Sequence, residues 1–176
     1  MNASERLIIP FRGLNDGKHE FEFSLNDNFF QALDYSEFEK GNIQVNVLLD
    51  KKSTHLLLEI DFEGHVNVMC DRCLDMFDLE VTDHNTLIVK FSGNPDEDAN
   101  DEIMIISPDE YELDITHYIY ESVCLSLPYH RYHPENGKGK SGCNKEMMKK
   151  LRELGTVQTE SEPDPRWEKL KNLNNN

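Results

Sequence analysis

The chain has 176 residues, 38% of them hydrophobic and including nine Phe and six Tyr, which is enough for one well-filled core. Its formal charge of −16 at pH 7 works against nonspecific binding to phosphates, and four cysteines are too few for a disulfide scaffold. The longest apolar runs, Leu56-Leu57-Leu58 and Ile103-Met104-Ile105-Ile106, fall short of the roughly 20 residues of a membrane span, and Met1-Asn2-Ala3-Ser4-Glu5-Arg6 lacks the pattern of a secretory leader. A cytoplasmic protein with reduced or metal-bound thiols is expected.

The average charge hides a division. Residues 1 to 126 carry eight Lys and Arg against 27 Asp and Glu, a net of −19, whereas residues 127 to 176 carry ten against seven, a net of +3. An acidic body that repels nonspecific RNA is thus joined to a basic segment able to contact phosphate at a chosen place.

In chain order, Arg6-Leu7-Ile8-Ile9-Pro10-Phe11 is an apolar segment that Pro10 keeps out of a central strand, and Asn15-Asp16-Gly17 signals a turn, so a hairpin is expected here. His19 to Leu25 alternates, with Phe21, Phe23 and Leu25 on one face and Glu20, Glu22 and Ser24 on the other, the period of a half-buried strand. Asn26 or Asp27 then caps a short helix through Phe29, Phe30 and Leu33. Ile43, Val45, Val47 and Leu49 predict a second strand, ended by the turn Asp50-Lys51-Lys52-Ser53. Leu56, Leu58, Ile60 and Phe62 predict a third, with a break or bulge at Glu63-Gly64 before His65 to Met69.

Met69-Cys70-Asp71-Arg72-Cys73-Leu74 forms the corner to a further run in which Phe77, Leu79, Val81, Leu87, Val89 and Phe91 alternate. Two residues between cysteines let two sulfurs converge on one metal ion or oxidise to each other, so zinc half-site, redox pair and plain turn are all open on spacing alone. Asp71 and Asp75 are expected to raise the thiol pKa values, which counts against redox activation, and Arg72 reads as an exposed turn charge ahead of a partner for an acid or a support for a phosphate.

Ser92 to Glu102, with Gly93, Pro95 and five acidic residues, reads as a solvated loop, and Ile103 to Ile106 as a short strand. Asp114 opens the clearest helix, which runs to Leu127-Pro128 with Ile115, Ile119 and Val123 on its buried stripe and Tyr118 and Leu125 widening it. On it, Cys124 reads as a small core residue and His117 as a surface one. After Tyr129-His130-Arg131-Tyr132-His133-Pro134 and a glycine- and lysine-rich stretch, a basic helix starts at Asn144 with Met147, Met148 and Leu151 on its apolar side. Asp164-Pro165 then opens a small amphipathic helix through Trp167, Leu170 and Leu173. The expected architecture is α+β: an antiparallel, meander-rich sheet, open or barrel-like, with a few packed helices, mainly C-terminal. Residues 1–153 form one domain, and residues 154–176 a linker and a helix that docks on it or trails from it.

Cys70-Asp71-Arg72-Cys73-Leu74 between strands, Leu113-Asp114-Ile115 at a helix opening, Leu125-Ser126-Leu127-Pro128 at its end and Asp164-Pro165-Arg166-Trp167-Glu168-Lys169-Leu170 near the terminus occur here in an order that resembles the YceD family, described as large-subunit ribosomal RNA accumulation proteins. The resemblance implies a non-enzymatic ribosome biogenesis factor supporting accumulation or processing of that RNA, with the RNA or a pre-ribosomal particle as partner and neither membrane nor small-molecule substrate. The acidic body adds a basic ribosomal protein as a second expected partner. Lys138, Lys140, Lys145, Lys149, Lys150 and Arg152 are the candidate phosphate contacts, with Tyr129 and Tyr132 as stacking groups.

Many family members carry further cysteines soon after the Leu-Pro, where this chain has His130, His133 and Cys143. Zinc accepts histidine nitrogen as readily as thiolate, so Cys70, Cys73, Cys143 and either His130 or His133 are the candidate metal ligands. Readings from other classes are a thiol oxidoreductase using Cys70 and Cys73 and a zinc-stabilised protein-interaction module. No Gly-x-Ser-x-Gly elbow, phosphate-binding glycine loop or helical His-Glu-x-x-His points to a hydrolase.

Overall fold

A computed structural model describes residues 6–92, 103–136 and 140–155. The acidic run from Gly93 to Glu102, Lys138 and the segment from Asp164-Pro165, where the sequence predicts a helix, lie outside the described residues. The chain opens with β1 (Ile8–Ile9), which pairs with β7 (Leu113–Asp114) and not with the strand that follows it. The hairpin expected at Asn15-Asp16-Gly17 is therefore not formed. Distant partners take up this segment's backbone groups instead: the Leu7 N–H donates to Thr116 Oγ1 at 2.8 Å and the Ile115 N–H to the Leu7 carbonyl at 3.0 Å.

The centre is a five-stranded sheet. β2 (Gly17–Leu25), β3 (Gly41–Lys51), β4 (His55–Met69) and β5 (Met76–Phe91) form an antiparallel meander. β6 (Ile103–Ile106) joins β5 in parallel at the far edge, a departure from the antiparallel expectation. Among the described residues the sheet stays open, with β2 and β6 as its edges, so the barrel-like alternative is not taken up. In β4 the alternation passes through Gly64 in register, burying Leu56, Leu58, Ile60, Phe62, Val66 and Val68 on one face. The break or bulge expected at Glu63-Gly64 is absent. Gly64 faces Ile43, and a Cβ on it would lie 2.1 Å from the Asn42 carbonyl oxygen, so glycine is needed there for close strand approach.

The other face is acidic. Register places Glu20, Glu22, Glu59, Asp61, Glu63, Asp78 and Glu80 on the exposed side of β2, β4 and β5. The core face is closed at one end by α1 (Asp27–Gln31), where Asn26 caps the helix by accepting from the Asn28 N–H, and where Phe30 packs edge-on to Phe29 and Phe38. Across β5 lies α2 (Thr116–Ser126), whose first N–H is taken by Asp114 Oδ1 at 3.0 Å. Ile115, Ile119, Tyr120 and Val123 are buried, but Leu125 is 85% exposed. At about 100° per residue, Leu125 stands some 200° round the helix from Val123, on the side away from the sheet.

A two-residue ladder, β8 (Glu135–Asn136) with β9 (Lys140–Ser141), leads to α3 (Lys145–Leu154). Asn144 caps α3 by accepting from the Glu146 and Met147 N–H groups. No residue of α3 is buried; Met147 and Met148 are half-covered against the core, and Leu151, expected on the apolar side, is exposed.

Candidate metal centre

The centre is built on the β4–β5 hairpin. Cys70 follows the last residue of β4, and the loop reverses by donation of the Leu74 N–H to the Cys70 carbonyl and of the Cys70 N–H to the Asp75 carbonyl, at 2.9 and 3.0 Å. Leu74 takes a positive φ of 64° to make the turn. The loop then captures the segment after α2. The Asp71 N–H donates to the Arg131 carbonyl at 2.8 Å, and the Arg131 N–H returns a bond to Asp71 Oδ2 at 2.7 Å. Two residues on, the His133 ring stacks on Phe77 of β5 with centroids 4.5 Å apart. Past the β8–β9 ladder, the Gly142 N–H donates to the Pro134 carbonyl and Asn144 Nδ2 to Asp75 Oδ2, which brings Cys143 under the same loop.

The result is a cluster of four donor residues, Cys70, Cys73, His133 and Cys143, with one donor atom of each within 4.8 Å of all the others. The Cys70 and Cys143 sulfurs are 3.8 Å apart, and Cys73 Sγ is 3.5 Å from His133 Nδ1. The three cysteines are buried, Cys70 and Cys73 to 0% and 1% exposure, and none forms a disulfide. Burial pushes the Cys70 thiol up, but the backbone N–H groups of Cys73, Arg72 and His133 favour its thiolate more strongly and bring it down to about 6. Burial raises the Cys73 thiol. The expectation that Asp71 and Asp75 raise the thiols is thus corrected: Cys70 is lowered, burial is what raises Cys73, and those carboxylates are turned to Arg131 and Asn144.

Of the two candidate histidines, the structure brings only His133 into the cluster. The His130 ring lies parallel to Tyr132, 5.6 Å between centroids, with Tyr129 edge-on to it. Cys124 stands apart on α2, half-buried, its thiol raised by burial. His117 is on the surface, bonded to Tyr35 and Glu121.

The basic candidates fall in two groups. Lys145, Lys149, Lys150 and Arg152 are exposed on α3, and Lys140 is placed through its backbone in β9. Lys145, Lys149 and Arg152 line a cleft of about 470 Å³ with Arg72, Glu135, Met148 and Cys143. Tyr129 is almost fully exposed, and Tyr132 lies under the Arg72 guanidinium at 4.5 Å. Arg72 is the member of this surface that sequence reasoning set aside as a turn charge. Its place between the two cysteines was the signal available in the sequence, because its neighbours Tyr132 and the cleft residues of α3 are supplied by the fold.

No curated protein and no solved structure matches the chain. The family model for YceD, the large ribosomal RNA subunit accumulation protein, matches residues 58–174, which takes in the hairpin that carries Cys70 and Cys73, all of α2, and the segment bearing His133, Cys143 and α3. On that match the chain belongs to the YceD family of large ribosomal RNA subunit accumulation proteins.

Proposed function

We propose that this protein is a non-enzymatic factor in ribosome biogenesis that supports accumulation of large-subunit ribosomal RNA by binding RNA at the cleft between the Cys70–Cys73 loop and α3. Family membership supports the biological setting. The observation that carries the site is that a chain of net charge −16 gathers four cations, Arg72, Lys145, Lys149 and Arg152, from two separate segments onto one cleft, where Glu135 is the one acid among the described lining residues and Glu153 pairs with Lys149 at 3.8 Å. Such a cluster attracts a phosphate backbone locally while the acidic sheet face keeps other nucleic acid away. Exposed Tyr129 and the Arg72–Tyr132 stack beside the cleft offer planar surfaces for unpaired bases, the form in which RNA is most readily read. The acidic face of β2, β4 and β5 suits a basic ribosomal protein as second partner.

One observation favours a second reading, thiol–disulfide exchange: the Cys70 thiol is lowered to about 6. Exchange needs an accessible sulfur, whereas Cys70 and Cys73 are both buried. A metal ligand needs the thiolate without the access, so we rank metal binding first. Crosslinking of RNA in cells, with gradient fractionation of ribosomal particles, tests the main reading. The expected result is crosslinks to large-subunit ribosomal RNA mapping to residues 129–152 and co-migration with precursor particles; absence from every such fraction with no RNA crosslinked contradicts it.

A further inference from the structure

We propose that Cys70, Cys73, His133 and Cys143 bind one structural zinc ion and that this ion fastens the basic helix α3 to the β4–β5 hairpin. The donor set is the first argument. Three thiolates and one imidazole, with no carboxylate among them, suit zinc and not calcium or magnesium, which take oxygen ligands. Four protein donors also leave no open position, which is the arrangement of structural and not catalytic zinc.

The second argument is size. Zinc–sulfur bonds of about 2.3 Å and zinc–nitrogen bonds of about 2.0–2.1 Å at tetrahedral angles require sulfurs about 3.8 Å apart and sulfur–nitrogen distances of about 3.5 Å. The cluster shows 3.8 Å between Cys70 and Cys143 and 3.5 Å between Cys73 and His133. These two separations match a tetrahedral ligand shell, and all four donors lie within 4.8 Å of one another.

The third argument is what the fold otherwise lacks. α3 buries no residue; it is held by two half-covered methionines and by its cap residue Asn144, which bonds Asp75. Cys143 immediately precedes that cap, and it also lines the cation-bearing cleft. A bond from Cys143 through a shared ion to Cys70 and Cys73 fixes the start of α3 beside Arg72. His133 plays the same part for the segment before β8, its ring held in place by Phe77.

The test is metal content of the full-length protein, followed by cobalt substitution. Protein from zinc-supplemented growth is expected to hold about one zinc per chain. Exchange with cobalt is expected to give intense visible bands of tetrahedral cobalt together with thiolate-to-cobalt charge transfer. Cys143→Ser and His133→Ala are expected to lose the tetrahedral cobalt spectrum, and Cys124→Ser and His130→Ala to keep it. Because the ligand variants can fail to fold, wild-type protein is also treated with a zinc chelator and digested with trypsin. Faster cleavage at Lys145, Lys149, Lys150 and Arg152, with the β2–β5 fragment surviving, supports the fastening role. A folded wild-type protein that holds well under half an equivalent of zinc and gives no tetrahedral cobalt spectrum overturns the site; chelation that removes the zinc yet leaves cleavage unchanged overturns the fastening role.

Discussion

The β2–β5 sheet and the segment from Tyr129 to Leu154 are held by different physics. The sheet buries whole rows of Val, Leu, Ile and Phe, each such side chain contributing roughly 1.5–3 kcal/mol by leaving water. Among the described residues of the C-terminal segment Cys143 is the one buried hydrophobic, and its ties to the rest are two half-covered methionines, the His133–Phe77 stack and directed contacts: Arg131 to Asp71, Asn144 to Asp75, and the thiol–imidazole cluster. The first region is secured by area and the second by a few directed bonds. An acidic, area-stabilised scaffold can thus carry a cationic surface that cannot fold on its own burial. It also means that the two regions fail under different insults.

The largest effect is expected from the cluster. On the proposed zinc site, Cys70→Ser removes the donor whose thiolate is most readily formed and should weaken zinc binding by at least about a hundredfold, more than loss of an outer-shell partner does. A competition titration against a chromophoric chelator measures it. Next comes Gly64→Ala, which strikes only the sheet: the added Cβ meets the Asn42 carbonyl oxygen at 2.1 Å, so a loss of about 3 kcal/mol in denaturant unfolding is expected with zinc content unchanged.

Paired charge reversal, Lys149→Glu with Arg152→Glu, acts on exposed residues of α3, reversing charge in the cleft and removing the Lys149–Glu153 pair while leaving the sheet untouched. RNA affinity should fall by about tenfold, and the slope of log K against log salt should become shallower by about 2; an unchanged slope would remove these residues from the phosphate contacts.

The smallest effect belongs to the β1–β7 ladder, where Arg6 pairs with Asp114. Burial pushes the Asp114 carboxyl up, but bonds from the Thr116 hydroxyl and N–H and from Arg6 outweigh it and hold the pKa below the ordinary carboxylate value. That stabilisation is present above the usual carboxylate range and is lost as pH falls through the lowered pKa. Arg6→Gln should cost about 0.5 kcal/mol near neutral pH, and the gap to wild type should close on acidification. A gap that widens toward low pH would reverse the sign of this account.

Much of the sheet was legible in the sequence because strand alternation is a local pattern. Phe21, Phe23 and Leu25, or Leu56, Leu58, Ile60 and Phe62, announce both strand and face without knowledge of their partners. What was not legible depends on distant chain. Ile8 and Ile9 pair more than 100 residues away with β7, and nothing near Gly17 reveals that. Gly64 looked like a breaker because glycine has two uses in strands, and only the opposing Asn42 and Ile43 decide between them. At the cluster, the cysteine spacing marked the hairpin half of the ligand set. The choice of His133 over His130 rests on Phe77, a stacking partner some fifty residues earlier that the spacing does not encode.

The central claim, that the sheet is self-sufficient while the cationic segment is tied to it through the four donors, is tested most directly by amide hydrogen exchange on the full-length protein with zinc bound and after its removal. The expected result is a loss of protection confined to residues 70–75 and 130–155, with β2 to β5 unchanged. Equal protection of the cationic segment in both states, or loss spread through the sheet, would contradict it.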